Sequence, residues 1–178
     1  MSITIRVAIA DDIEVIGQLY DDLNDYLESH ENFPRWKKGV YPIREDAEEA
    51  FEKGDLYVAE IDGNVAGTVV YSDEQEDAYR AVEWQVDYDV PVITICKLAV
   101  HPHYFGYGVG KKLLDYAECV GKQRNAKAIR LDAYEENTPA IRLYEKCGFT
   151  DMGMVDLGLE EIYGLKWYKV FEKVLRPF

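Results

Sequence analysis

Residues 92–114 read VITICKLAVHPHYFGYGVGKKLL, and the rest of the chain is best read outward from them. Val92–Val100 is a β-branched run, which predicts a strand. A His-Pro loop follows, and Gly106, Gly108 and Gly110 then alternate through a turn. Beyond them Val109, Leu113, Leu114, Ala117 and Val120 recur at helical spacing. Glycines without a Cβ let successive N–H groups curl toward one point. At a helix start those groups lack intrahelical acceptors and sit at the positive end of the dipole. Gly106, Tyr107, Gly108, Val109, Gly110 and Lys111 therefore form a candidate phosphate cradle.

Spacing separates the cradles it resembles. A Walker loop requires a glycine at Phe105 and Ser or Thr after Lys111, where Lys112 stands. A dinucleotide fingerprint requires a third glycine where Lys111 stands. Asp132 lies roughly 20 residues on, where a ribose-binding acid would sit, but the missing glycine removes its support. Gly108 and Gly110 fit the glycines of the acyl-CoA pyrophosphate loop, Q/R-x-x-G-x-G/A, with Phe105 in place of Gln or Arg. Downstream, residues 137–149 read NTPAIRLYEKCGF. The strand Leu98-Ala99-Val100, Pro102, the glycine loop and N-x-x-A-x-x-L-Y-x-x-x-G-F together resemble the GNAT superfamily of acyl-CoA-dependent N-acetyltransferases, with weaker likeness from Ile3 to about Phe171.

Composition narrows the classes. The 178 residues suit one domain, residues 1–178, with a sizeable core, and 48% hydrophobic content excludes a disordered chain. A formal net charge of −14 argues against nucleic acid and anionic membranes and is compatible with a cationic amine, although a solvated acidic surface gives the same number. Cys96, Cys119 and Cys147 show no C-x-x-C spacing, so no metal is expected. His101 and His103 straddle Pro102 without an identifiable third ligand. The N-terminus lacks signal-peptide character and no run reaches the roughly 20 apolar residues of a membrane span, so a reducing cytoplasm is the expected compartment.

Along the chain, Ile3–Ala8 alternates as a strand. Asp11 with Glu14 suggests a capping box for a helix reaching about Ser29. Residues 30–41 are irregular, and Pro42 suits the first turn of a second helix that Gly54 stops. Two strands flank Asp62-Gly63-Asn64, a hairpin signal. Residues 73–89 are polar, aromatic and aperiodic, the pattern of a functional or mobile loop, here expected to act as a lid over the acceptor. AIRLDAY is a strand, Thr138–Cys147 a helix ended by Gly148, and Phe149–Val155 with Leu165–Val174 a closing pair of strands. The expected fold is α/β: a single mixed, mostly antiparallel central sheet flanked by helices. The resemblance implies that its central strands splay to admit the pantetheine arm.

The implied reaction transfers an acetyl group from acetyl-CoA, as co-substrate, to a primary amine by direct attack in a ternary complex. The acceptor is expected to be an amine-bearing small molecule or peptide, and a homodimer is compatible with this reading. Periodicity alone favours packing of Tyr144 on its helix's inner face beside Ala140, Leu143 and Cys147; the resemblance reverses that preference, because Tyr144 occupies the position where the family places the acid that protonates the CoA sulfur. Asn137 either caps its helix or contacts the pantetheine or Tyr144. Leu98 and Val100 are implied to offer backbone groups to the pantetheine arm, and a strand bulge to aim an amide at the thioester oxygen. Strand Val92–Val100 carries no Asp or Glu, so the base is open; Glu83 is the named candidate, with Asp87, Tyr134 and Glu135 comparable. Cys96 as a nucleophile is outweighed by a buried structural role, with Lys97 expected on the opposite face. Trp36, Tyr79 and Trp84 either line the acceptor pocket or pack two loops. The alternative from another class is a CoA-binding regulatory module without catalysis.

Overall fold

The computed structural model describes residues 2–176. Seven strands form one sheet in the order β1-β2-β3-β4-β5-β7-β6. They are β1 (Ile3–Val7), β2 (Leu56–Ile61), β3 (Asn64–Ser72), β4 (Val92–Val100), β5 (Ala128–Tyr134), β6 (Thr150–Asp156) and β7 (Trp167–Val174). Neighbours pair antiparallel except β4 and β5, which run parallel. The helices are α1 (Asp12–Glu28), α2 (Arg44–Glu52), α3 (Val109–Gln123), α4 (Thr138–Lys146) and the short α5 (Glu160–Tyr163). The expected mixed sheet and element order are present; α5 is an addition. No helix among the described residues is long and apolar enough to cross a membrane.

Side-chain alternation divides the core between the two faces of the sheet. On one face α3 and α4 set Leu113, Leu114, Ala117 and Ile141 against Ile93, Ile95, Ile129, Leu131 and Phe171. On the other, α1 and α2 set Ile16, Leu19, Tyr20, Ala47 and Ala50 against Leu56, Val58, Val70 and Ala99. Each fully buried aliphatic side chain stabilises by roughly 1.5–3 kcal/mol. That second face is completed over β6 and β7 by Tyr79, Val82 and Trp84, which pack on Val155 and Val170.

Two local readings change and the hairpin holds. Asp11 makes no side-chain cap; the carboxylate of Asp12 instead accepts the Ile9 N–H at 2.8 Å and pairs with Arg6 at 2.7 Å, so the predicted capping box is absent. α2 starts at Arg44, past Pro42, because Asp46 accepts the Ile43 N–H at 2.8 Å and fixes the helix start there. The hairpin turn is the pair Asp62-Gly63, both at positive φ, with Ile61 opposite Asn64; this is the two-residue turn whose twist matches the strands.

Residues 73–91 depart most from expectation. Asp77–Ala81 forms a 3-10 turn, and the remainder is tied to the sheet by Arg130. The guanidinium donates to the carbonyls of Val86 at 2.6 Å and Asp87 at 3.2 Å and to Gln75 Oε1 at 2.7 Å, and lies 4.4 Å from the Trp84 ring centroid. Its Nε meets Glu172 Oε2 at 2.9 Å, and Glu172 Oε1 accepts the Gln85 N–H at 2.7 Å. Arg130 and Glu172 are both 0% exposed. Instead of a loose lid, the segment is a wall fastened from below.

Candidate active site

The β4–β5 ladder joins Val92 to Ala128, Ile93 to Ile129 and Thr94 to Arg130, and then the strands diverge. β3–β4 pairing explains the divergence. Thr68 faces Ala99 and Val70 faces Cys96, so Lys97 and Leu98 together oppose Val69 in a bulge. Lys97 adopts φ +51°, the left-handed region that bends a strand. The bulge also overturns the expectation that Lys97 points away from Cys96. Both line the cleft, and the Lys97 ammonium lies 5.6 Å from the Tyr41 ring centroid.

The cleft that opens between the strands has a volume of about 830 Å³. Leu98 and Val100 of β4, Asn137, Leu143 and Tyr144 around α4, and Phe105 form one side. Trp36 and Tyr41 from the 30–41 segment, with Tyr163 and Tyr168 from the C-terminal part, form the other. A second cavity of about 320 Å³, walled by Asp46 and Glu49 of α2 and by Glu74, Glu76 and Tyr79, meets the first at Cys96, Lys97 and Asp132.

The glycine turn lies beyond the end of β4. Gly106 and Gly108 have φ of +86° and +81°, so the turn requires a residue without Cβ strain there. The Lys112 N–H is the donor to Gly108 O, which leaves the N–H groups of Val109, Gly110 and Lys111 with no acceptor inside α3. This donor set fits an anion such as a pyrophosphate. The Lys111 ammonium is turned to Asp115 at 2.6 Å, so Lys111 offers the turn its backbone N–H.

Tyr144 projects from α4 into the cleft, half-buried, with its ring 5.5 Å from Phe171, and burial raises its phenol well above the ordinary range. Asn137 Oδ1 caps α4 by accepting the Ala140 N–H at 3.4 Å, and Asn137 also lines the cleft. Glu83 is exposed and lies outside both cavity walls, as do Asp87 and Glu135. Tyr134 lines the cleft with its hydroxyl donated to Glu136 at 3.0 Å. Trp36 and Tyr79 reach the cavities, whereas Trp84 packs on Arg130. Both His101 ring nitrogens are engaged, Nε2 with Asp22 at 3.0 Å and Nδ1 with the His103 N–H at 3.1 Å.

Asp132 is the carboxylate that the reading of β4 and the long loop overlooks. It sits on β5 beside the divergence, and Tyr79 donates its hydroxyl to Asp132 Oδ2 at 2.5 Å. Burial pushes its pKa up to about 6, against the lowering effect of that hydrogen bond. A signal was present in AIRLDAY: Arg130 and Asp132 are charged residues two apart in an apolar strand, hence on one face. Burial also pushes the Cys96 thiol up to about 11, the opposite of what a nucleophile needs.

Comparison with known proteins agrees with this fold. GNAT acetyltransferase from Streptococcus agalactiae 2603 superposes with a TM-score of 0.81 at 21% identity, covering 98% of this chain and 96% of that one. YncA from Salmonella typhimurium, whose structure holds acetyl-CoA, superposes with a TM-score of 0.70 at 20% identity over 100% of this chain and 96% of that one. Streptothricin acetyltransferase from Escherichia coli is 28% identical over 132 residues, 72% of this chain and 67% of that protein. The chain spans only 16% and 24% of the lengths of two other curated relatives that it matches. The sequence profile of the Acetyltransferase (GNAT) family matches residues 16–149, from α1 to the end of the N-x-x-A-x-x-L-Y-x-x-x-G-F motif. The chain belongs to the GNAT acetyltransferase family.

Proposed function

We propose that this protein transfers the acetyl group of acetyl-CoA to the nitrogen of a primary amine carried by a small molecule or peptide. The observation that carries this reading is the divergence of β4 and β5 after Thr94, which joins the Tyr144 side of the sheet to the aromatic and acidic side around Asp132. Bound acetyl-CoA supplies an activated acetyl thioester. The amides following Gly108 hold its pyrophosphate, and backbone groups of Leu98 and Val100 align the pantetheine arm. An amide at the Lys97-Leu98 bulge meets the carbonyl oxygen where charge develops. The amine attacks directly, and Tyr144 gives its proton to the departing sulfur. Trp36, Tyr41 and Tyr168 form apolar and π-rich walls suited to an aminoalkyl group.

Free-thiol release from acetyl-CoA across a panel of amines tests the activity. Tyr144→Phe keeps the ring packed on Phe171 and removes the proton donor. Its kcat is expected to fall by about 10²–10⁴, the scale for one positioned acid, with CoA affinity and melting temperature unchanged. Unchanged kcat where chemistry limits the rate overturns the acid role. Phe105, standing where Gln or Arg is usual in the pyrophosphate loop, favours the second reading, a CoA-binding module without catalysis. CoA binding by calorimetry with no thiol release from any amine decides for it.

A further inference from the structure

We infer that Asp132 is the base that takes the proton from the acceptor ammonium, and that Tyr79, delivered by the fastened 73–91 segment, is the residue that positions it. This rests on the amine-acetylation reading above. An alkylammonium has a pKa near that of Lys, about 10.4, and cannot attack until it loses a proton. β4 supplies no carboxylate, while β5 supplies one at the level where the strands part.

Three observations select Asp132. Its side chain lies where the two cavities meet, so a group entering from either reaches it. Tyr79 occupies Oδ2, and Oδ1 takes no hydrogen bond among the described residues, leaving one oxygen for an incoming N–H. Alternation along β5 puts Asp132 on the face opposite the α4 side, so base and acid flank the gap from its two sides. Glu76 borders both cavities but is exposed, and Glu83 borders neither.

Tyr79 is placed with unusual redundancy. It is 2% exposed, its carbonyl accepts the Trp84 indole N–H at 2.8 Å, and Trp84 in turn lies on Arg130. The same strand thus anchors the wall through Arg130 and receives its tyrosine at Asp132. In the step, the ammonium proton passes to Asp132 and the nitrogen lone pair forms the C–N bond. The C–S bond breaks, its electron pair leaves on sulfur, and sulfur takes the Tyr144 proton. The second nitrogen proton, acidic once the C–N bond has formed, passes through solvent to the Tyr144 phenolate and restores the phenol. The products are the amide, CoA thiol and protonated Asp132, which then releases its proton to solvent.

Other groups facing Asp132 bear on its titration. Glu76 raises its pKa and Lys97 lowers it. Asp46 and Glu49 of α2, Cys96, Tyr41, Tyr144 and Tyr168 share its cavities. Of these, Cys96, Tyr41, Tyr144 and Tyr168 are pushed up chiefly by burial, and the charge of Asp132 adds to it.

The test is the pH profile of kcat/KM for one amine with wild type, Asp132→Asn and Tyr79→Phe, alongside CoA binding and melting temperature. Wild type is expected to lose activity below about pH 6. Asp132→Asn should lose about 10²–10⁴ at neutral pH, with CoA affinity retained and the deficit shrinking at alkaline pH as free amine accumulates. Tyr79→Phe removes a hydrogen bond that holds the carboxylate down, so its acid limb should move to higher pH. A wild type that binds CoA and transfers to no amine overturns the transfer reading and this base with it. An active wild type matched by Asp132→Asn across the range overturns the base alone. Should Asp132→Asn not fold, Tyr79→Phe decides: an unmoved acid limb overturns the pair, and an upward shift supports it.

Discussion

The turn from Gly106 to Gly110 and the segment from Asp73 to Pro91 both lack regular periodicity, yet they hold their shapes by different means. The glycine turn is specified within itself. Two residues at positive φ bend the chain, Gly108 O accepts the Lys112 N–H, and the helix that follows leaves its first N–H groups facing outward. The 73–91 segment is specified from outside. Its carbonyls at Val86 and Asp87 are satisfied by Arg130 of β5, and the N–H of Gln85 by Glu172 of β7. The glycine turn, the candidate cradle, is thus encoded where it stands, whereas a wall that carries side chains to the cleft depends on residues tens of positions away.

The largest effect that can break this contrast comes from Arg130→Met. It leaves Glu172 buried and uncompensated and frees the carbonyls beneath the wall, at a cost of about 3–5 kcal/mol. Chemical denaturation measures the loss. Hydrogen exchange should rise across residues 75–88 more than at the start of α3. Pairing Arg130→Met with Glu172→Leu should recover part of the stability, because the buried charge is then gone, without recovering protection in the wall. A loss below ~1 kcal/mol for the single variant, or exchange rising equally at both sites, means the segment is held by its own contacts.

Gly108→Ala probes the other side at a smaller scale. A Cβ in the left-handed region costs roughly 1–2 kcal/mol, and nothing lies within 4 Å of that Cβ, so the penalty is conformational. Melting temperature and CoA affinity should both fall, while exchange in residues 75–88 stays at the wild-type level. Loosening of the wall in this variant would show that the two regions are coupled and would erase the distinction.

The same distinction explains what could be read from the sequence. Strands β4 and β5, the Asp62-Gly63 turn and the Thr138 helix start are visible because periodicity, turn chemistry and an N-cap act over a few residues. Errors of position arose where a neighbouring side chain competed for a backbone donor. Asp12 makes the bond back to an N–H three residues earlier that was expected of Glu14, and Asp46 moved the start of α2 past Pro42. The candidate site was legible in part. The glycine turn, Leu98, Val100, Asn137 and Tyr144 come from contiguous motifs. Asp132 and Tyr79 come together across 53 residues, and Lys97 reaches the cleft only because a bulge resets the alternation of β4. Glu83 looked suitable because the loop that carries it was expected to fold over the acceptor; the fastened wall leaves it exposed instead.

The smallest expected effect is at Gly110, and it sharpens what the alternating glycines are for. Gly110 lies inside α3 without positive φ, and a Cβ there would stand 3.5 Å from Leu143 Cδ2 and 3.8 Å from Leu98 Cδ2, ordinary contact distances. Gly110→Ala therefore has no strain to impose and gains helix propensity, worth up to ~1 kcal/mol in a helix interior and less in a first turn. A slightly higher melting temperature with CoA affinity within about twofold of wild type is the expected result. It would assign the requirement for glycine to the bend at Gly108 and leave position 110 to supply only its N–H. A loss of CoA affinity as large as that of Gly108→Ala would instead place a phosphate against the Gly110 Cα. The cradle would then depend on the bareness of the backbone as well as on its curvature.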